Sequence, residues 1–221
     1  MAKVFLSPSN QYDNVYAYGN TTEGVQCGKI AEACKAALER SGVTVKLMHD
    51  EDMQTKCAES NKFDADLHVP IHTNAFNGKV MGTRMFCYSL ASKGMAACKS
   101  IFERLAPITP GESENIRVNS DYYEVRVPAA PTAYIECEFH DTVEGAKWIV
   151  ENTVLIGETI ARGICDYFGV TFKEPEQPKP AAPASGKLYR VQVGAFSVRE
   201  NAEKMLARLK AAGFDGFIRE G

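Results

Sequence analysis

Three side chains fall where α/β proteins do chemistry. His72 closes an apolar run, Val69-Pro70-Ile71-His72, ahead of Thr73-Asn74-Ala75 and a Gly-containing loop. Glu23 opens a helical segment behind Thr21 and Thr22, a place where the helix dipole alone favours a carboxylate. Glu136 sits in Pro131-Thr132-Ala133-Tyr134-Ile135-Glu136-Cys137-Glu138-Phe139, at the carboxyl end of an apolar strand, where a carboxylate is either ion-paired or functional. A strand-end histidine with two such glutamates suggests metal-assisted hydrolysis. Two protein groups and a third would hold Zn²⁺ with water in the open position. The remaining carboxylate would take a proton from that water and return it to a leaving amine.

The other candidates are weaker. His68 lies four residues before His72, about 13 Å along an extended strand at ~3.3 Å per residue, too far to share a metal easily. It reads as structural, as do His49 and His140. The seven cysteines, at 27, 34, 57, 87, 98, 137 and 165, form no C-x-x-C pair, which argues against a cysteine zinc cluster. Cys27 and Cys34 suit a helix core, and unpaired thiols suit folding in a reducing compartment. A cysteine hydrolase using Cys137 and His140 fails on geometry, because residues three apart on a strand face opposite sides.

The elements that must position these groups alternate. Strands are expected at Val4–Leu6, Val43–Leu47, Asp66–His72, Thr83–Ser89 and Thr132–Cys137. Helices are expected over about Glu23–Ser41, stopped by Gly42, then Ser92–Leu105 and Thr142–Phe168. That order predicts an α/β fold, a largely parallel twisted sheet flanked by helices. Sites in such sheets form beyond the carboxyl ends of the strands. Residues 173–186, KEPEQPKPAAPASG, carry four prolines and no apolar periodicity, a semi-extended linker. The expected division is a domain over 1–172, a linker over 173–186 and a small C-terminal piece over 187–221. In the last, Leu188–Val193 alternates as a strand, Ser197 and Glu200 have capping-box spacing, and Ala202, Met205, Leu206 and Leu209 share a helix face. Gly213 closes that helix and Phe217-Ile218 begins another strand, giving one βαβ unit.

Composition sets bounds. The 221 residues are 45% hydrophobic and 24% charged, an ordinary globular balance. A net charge of −3 shows no basic excess, which excludes a typical nucleic-acid partner. No apolar run is long enough to span a membrane, and the start Met1-Ala2-Lys3-Val4-Phe5-Leu6 is too short for a signal peptide.

The stretches VFLSPSNQ, TTEGVQCGKIAEACKAALERSGVTVKL, ADLHVPIHTNAF and PTAYIECEF resemble the zinc-dependent N-acetylmuramoyl-L-alanine amidases (Amidase_3 family) over roughly residues 3–168. That family has a strand ending in Asp-Pro-Gly-His-Gly, a ligand glutamate opening a helix, a Ser-x-His-x-Asn-Ala strand and a Pro-Ala-x-Leu-x-Glu strand. The resemblance implies that Glu23 and His72 are Zn²⁺ ligands and Glu136 the catalytic acid/base. Where the family has its first histidine ligand, this sequence reads Ser9-Asn10-Gln11. Register alone puts Asn10 there and a one-residue shift puts Gln11 there; either amide would be a weaker metal ligand than imidazole. KLYRVQVGAFSVRENAEKMLARLKAAGFDGFI resembles the first half of a SPOR domain, a family that binds glycan stripped of its stem peptides. A single βαβ half of ~35 residues is too small to be stable alone. Together the resemblances imply a peptidoglycan hydrolase acting outside the cell at the wall, cutting between N-acetylmuramic acid and L-alanine, with denuded glycan bound by the SPOR-like part. Release of the phage-lysis kind would need no signal peptide. The rival expectation is a lapsed amidase fold that only binds peptidoglycan.

Overall fold

A computed structural model describes residues 1–175 and 191–220. The chain divides into two compact units, Met1–Pro175 and Glu176–Gly221. The first extends past residue 172 because its tail is tied back. Arg40 donates to the Lys173 carbonyl at 2.8 Å, the Lys173 amide donates to Ser41 at 3.1 Å, and Arg162 pairs with Glu174 at 2.6 Å.

The first unit is built on six strands: β1 (Lys3–Pro8), β2 (Thr44–Leu47), β3 (Leu67–Asn74), β4 (Arg84–Cys87), β5 (Arg117–Val118) and β6 (Tyr134–Phe139). Their order is β2-β1-β3-β6-β4-β5, parallel from β2 to β6, with β4 antiparallel to β6. The chain leaves β1 toward β2 and returns to pair β3 on the other side. This reversal opens a crevice at the carboxyl ends of β1 and β3.

Strand alternation gives the sheet two different faces. Val4, Leu6, Val69, Ile71, Met85, Ile135 and Cys137 point into the main apolar core. The helices α1 (Glu23–Arg40), α3 (Lys93–Leu105) and α6 (Thr153–Phe168) pack over that face. Register puts Ser7, His68, His72, Glu136 and Arg84 on the opposite face. Two elements unexpected from sequence lie on that side: α2 (Met53–Phe63) and the four-residue α4 (Tyr123–Arg126). Helix α2 buries Lys56, Cys57 and Ser60, so it has no apolar stripe to read. Its start is marked instead by the Asp52 side chain accepting from the Thr55 amide.

Other expectations shift by a few residues. Thr142–Phe168 is two helices, α5 (Val143–Glu151) and α6, broken at Asn152. Gly42, at φ +89°, takes the left-handed turn that ends α1. Glu136 lies in the middle of β6 rather than at its end, and β3 continues past His72 with a register shift before Asn74.

In the second unit, Arg199–Ala211 forms α7, and Ala202, Met205, Leu206 and Leu209 are its partly buried face. Val198, not Ser197, is the N-cap, and no side chain caps it, so the Ser197/Glu200 capping box is not made. The expected strand Leu188–Val193 lies outside the described residues as far as 190. Residues 191–193 and 217–218 carry no strand assignment, because neither segment has a ladder partner among the described residues. Most of the expected linker, 176–186, also lies outside the described residues.

Candidate active site

The site is assembled by backbone bonds before any side chain takes part. Beyond β1, the Ser9 amide donates to the Ile71 carbonyl at 2.8 Å, fastening the end of β1 to β3 beside His72. The first amides of α1 are capped by the same polar loop: Glu23 N–H donates to the Asn14 carbonyl at 2.9 Å and Gly24 N–H to the Gln11 carbonyl at 3.0 Å. Thr22 occupies the N-cap without a side-chain bond. These carbonyls satisfy donors that every helix start leaves open, and they bring Gln11 against Glu23. His49 adds a clamp, its Nε2 lying 3.0 Å from the Ser9 carbonyl and 2.9 Å from that of Gly24.

Three side chains converge there. His72 Nδ1 is 2.9 Å from Glu23 Oε1, Gln11 Nε2 is 3.3 Å from that oxygen, and Gln11 Nε2 is 3.4 Å from His72 Nδ1. Glu23 Oε2 accepts from Asn14 Nδ2 at 2.7 Å, and Gln11 Oε1 from the same amide at 3.1 Å. Glu23 is buried, His72 half-buried and Gln11 exposed, so the cluster opens to solvent on one side. Of the two amides at the first-ligand position, Gln11 joins the cluster and Asn10 does not. Asn10 Nδ2 is turned away to the carbonyls of Asp50 and Glu51, at 3.4 and 3.0 Å.

Glu136 stands beside this group as the register partner of His72 on β6, with Arg84 its partner on β4. It is buried, and its Oε2 has no hydrogen-bond partner among the described residues. Burial, helped by the Glu23 charge and opposed by His72 and Arg84, pushes its carboxyl up to about 7. For Glu23, burial works upward, but the His72 bond and charge, with Asn14 and Ser9, hold it below the usual carboxylate range. For His72, burial works downward, yet the Glu23 bond and the charges of Glu136, Glu23 and Glu124 hold it above its ordinary value. Tyr134 stacks on the His72 ring at 4.8 Å and 14°.

The donor set fits a divalent cation. Four ligands at bonds of ~2.1 Å define tetrahedron edges of about 3.4 Å. The His72 Nδ1–Glu23 Oε1 separation of 2.9 Å is somewhat shorter than that edge, and the Gln11 amide lies within 3.4 Å of both atoms. Gln11 faces the pair with its nitrogen, which offers no lone pair; its oxygen becomes a ligand after a half-turn of the amide. The unpartnered Glu136 oxygen and the carboxylate excess around one imidazole are what a cation would balance.

A second group lies under the first. Cys57, His68 and Glu124 are buried with ligand atoms within 4.8 Å of one another, which could hold a metal ion. Glu124 Oε1 accepts from Ser7 Oγ and lies 3.3 Å from His68 Nε2, while His68 Nδ1 shares a 3.0 Å bond with Ser60. Ser60 and Glu124 thus engage both ring nitrogens of His68. His140 is likewise committed, bonded to Thr73 at 2.9 Å and stacked on Tyr16 at 4.9 Å. All seven cysteines are free and buried, and burial pushes the Cys137 thiol well up. Sequence reasoning missed Asn14 and Glu124. Asn14, three residues after Gln11 in a loop preceding a helix, carried a readable signal; Glu124, on a one-turn helix, carried none.

Comparison with known proteins gives concordant matches. The N-acetylmuramoyl-L-alanine amidase family matches residues 10–166 and the SPOR domain residues 175–220. The sporulation-specific N-acetylmuramoyl-L-alanine amidase of Bacillus subtilis (strain 168) is 24% identical over 99% of this chain and 84% of its own length. N-acetylmuramoyl-L-alanine amidase CwlM of Bacillus licheniformis is 23% identical over 99% of this chain and 85% of its own. Among solved structures, the catalytic domain of the amidase CwlV from Bacillus (Paenibacillus) polymyxa var. colistinus superposes with TM-score 0.69 at 17% identity, covering 77% of this chain and 100% of its own. The amidase AmiC2 of Nostoc punctiforme gives 0.66 at 20% identity, covering 76% and 97%.

Proposed function

The chain belongs to the N-acetylmuramoyl-L-alanine amidase family, with a SPOR domain after the amidase domain, and from that premise we propose how its own residues cut peptidoglycan. The substrate bond is the amide between N-acetylmuramic acid and the L-alanine of the stem peptide. Gln11, Glu23 and His72 would hold Zn²⁺, and Glu136 is the acid/base. The convergence of those three donors beside the unpartnered Glu136 oxygen carries this reading.

Bound Zn²⁺ would supply Lewis-acid polarisation of the scissile carbonyl and acidify the attacking water. Glu136 receives the water's proton at Oε2 and passes it to the amide nitrogen as the amine leaves. Burial raises the Glu136 carboxyl, the direction that suits a group which must both take up and give back a proton. Tyr134 holds the His72 ring in plane, and Asn14 fixes the Glu23 carboxylate through Oε2. Gln11 is exposed, so the cluster is reachable from solvent on that side.

A catalytic domain, a proline-rich linker and a glycan-binding C-terminal piece, in that order, belong to the same proposal. A SPOR-like part that takes glycan freed of stem peptide would hold the enzyme where its product accumulates, at the cell wall. Digestion of purified peptidoglycan, with and without chelator, tests the reading. New L-alanine amino termini should appear without new reducing sugar ends, and chelator should abolish them. A wild-type chain that retains no stoichiometric zinc and releases no amino termini would leave only a wall-binding protein.

A further inference from the structure

One buried carboxylate outside the proposed ligand set faces the ligand histidine from behind. Among the described residues, the carboxylates within 4.0 Å of the His72 ring nitrogens are Glu23, at Nδ1, and Glu124, at Nε2. Glu124 Oε2 is 4.0 Å from Nε2, within ion-pair range though longer than a hydrogen bond. Its other oxygen is occupied by Ser7 and by His68 Nε2. His68 is fixed in turn by Ser60 at Nδ1 and by stacking on Phe5 at 5.3 Å. So β1, α2, β3 and α4 each contribute to holding one carboxylate, whose other oxygen lies 4.0 Å from His72 Nε2. The same bonds engage two members of the Cys57/His68/Glu124 group. Both His68 nitrogens are engaged, and Glu124 Oε1 takes two contacts.

We propose that Glu124 is a positioning residue for His72, a buried carboxylate whose charge 4.0 Å away favours the proton on Nε2, so that Nδ1 presents its lone pair to the cation shared with Gln11 and Glu23. The inference rests on the amidase reading of that cluster. Its physical basis is general: a metal-bound histidine donates its second ring N–H to a carboxylate or carbonyl, which fixes the ring and raises its strength as a ligand. Here that support matters more than usual, because one ligand is an amide oxygen rather than an imidazole. Tyr134 already restrains the ring's tilt by stacking, so the remaining freedom is rotation within the plane. Glu23 and Glu124 face that rotation from opposite ring nitrogens, Glu23 at 2.9 Å and Glu124 at 4.0 Å. His68, four residues away on β3, therefore serves the site without touching the metal; it anchors the carboxylate that orients His72.

The test uses the full chain carrying Glu124→Leu, Glu124→Gln and Cys57→Ser, with thermal unfolding to show that each variant is folded. Zinc affinity is read by competition with a chromophoric chelator at fixed pH. The His72 Nε2–H signal is read by ¹H–¹⁵N NMR on metal-free protein. Glu124→Leu should weaken zinc roughly tenfold or more and lose the exchange-protected Nε2–H signal. Glu124→Gln, which keeps an acceptor, should recover part of both. Cys57→Ser should leave affinity unchanged. A folded Glu124→Leu with wild-type affinity and an intact Nε2–H signal overturns the proposal. So does loss of zinc in Cys57→Ser, which would assign the ion to the deeper cluster. If the wild type binds no zinc, the amidase reading of the cluster fails, while the Nε2–H comparison still decides the role of Glu124.

Discussion

His72 on β3 and Glu136 on β6 are register partners, so the proposed metal ligand and the proposed proton carrier are held side by side by the sheet ladder itself. Two rigid strands fix the pair, which loops could not do as well. Glu136→Gln should therefore leave the fold and the metal in place while removing the proton acceptor. Peptidoglycan cleavage should fall roughly 10²- to 10⁴-fold, the usual contribution of a positioned acid/base. The rate of amino-terminus release by a variant with unchanged Tm and zinc content is the check. Near-normal release would move the role to another group.

Removing ligands should separate His72 from His49 and His140. His72→Ala and Glu23→Ala should each empty the site, because each deletes a converging donor. His49→Ala and His140→Ala should keep zinc, although both cost stability. His49 clamps the Ser9 and Gly24 carbonyls, and His140 completes the Tyr16–Thr73 network. Metal per chain after dialysis reads the difference. Zinc lost from the His140 variant would mean that the assignment by geometry is wrong.

The carboxylate two residues beyond Glu136 makes a pH prediction. Glu138 Oε1 accepts from the Gly82 and Phe139 amides, at 2.8 and 2.6 Å, tying down the loop after β3. Burial pushes this carboxyl up from its ordinary 4.5 to about 7. A raised folded-state value means the contribution to stability is complete below about 4.5 and is lost as pH rises through about 7. At ~1.4 kcal/mol per pKa unit, the loss between pH 5 and pH 8 is up to about 3 kcal/mol. Glu138→Gln cannot ionise, so the metal-free variant should match wild type at pH 5 and exceed it at pH 8. Urea unfolding at the two pH values measures this. An unchanged pH slope would place the ordinary carboxylate in this loop.

How far the sequence could be read follows from which elements bury apolar side chains. In β3, Leu67-His68-Val69-Pro70-Ile71-His72 alternates visibly, and the structure puts its odd positions in the core and its even ones on the site face. The stripe on α7 was equally legible. Helix α2 was not, because it packs against the polar face with Lys56, Cys57 and Ser60 and so has no hydrophobic period. Glu124 was invisible for a different reason: a four-residue helix shows no periodicity, and its partner His68 is 56 residues away. Strand alternation also could not separate Glu136 from Glu138, which lie two residues apart. The ladder separates them by pairing Glu136 with His72, whereas after the register shift Phe139 pairs with Asn74 and Glu138 turns to the Gly82 loop.

The choice between Asn10 and Gln11 depended on a loop conformation that no pattern specifies, and it leads to the sharpest test of the metal site. The Gln11 carbonyl is fixed by the Gly24 amide at the start of α1, which sets its side chain over Glu23 and His72. The Asn10 amide is committed to the Asp50 and Glu51 carbonyls. Gln11→His should then tighten zinc, since imidazole is a better ligand than an amide oxygen and the charge of the site does not change. The gain should be roughly tenfold or more, with the Ser9 hydroxyl and the Asn14 side chain close enough to orient the new ring. Asn10→His should leave affinity where it was, and Gln11→Ala should weaken it. Chelator titration of these three variants and of Asn10→Ala/Gln11→Ala compares them directly. If the double alanine variant holds zinc as tightly as wild type, neither amide is a ligand, and only Glu23 and His72 remain of the proposed set. If Asn10→His tightens binding and Gln11→His does not, the loop turns over when the metal binds, and the Gln11 carbonyl must release the Gly24 amide to let it.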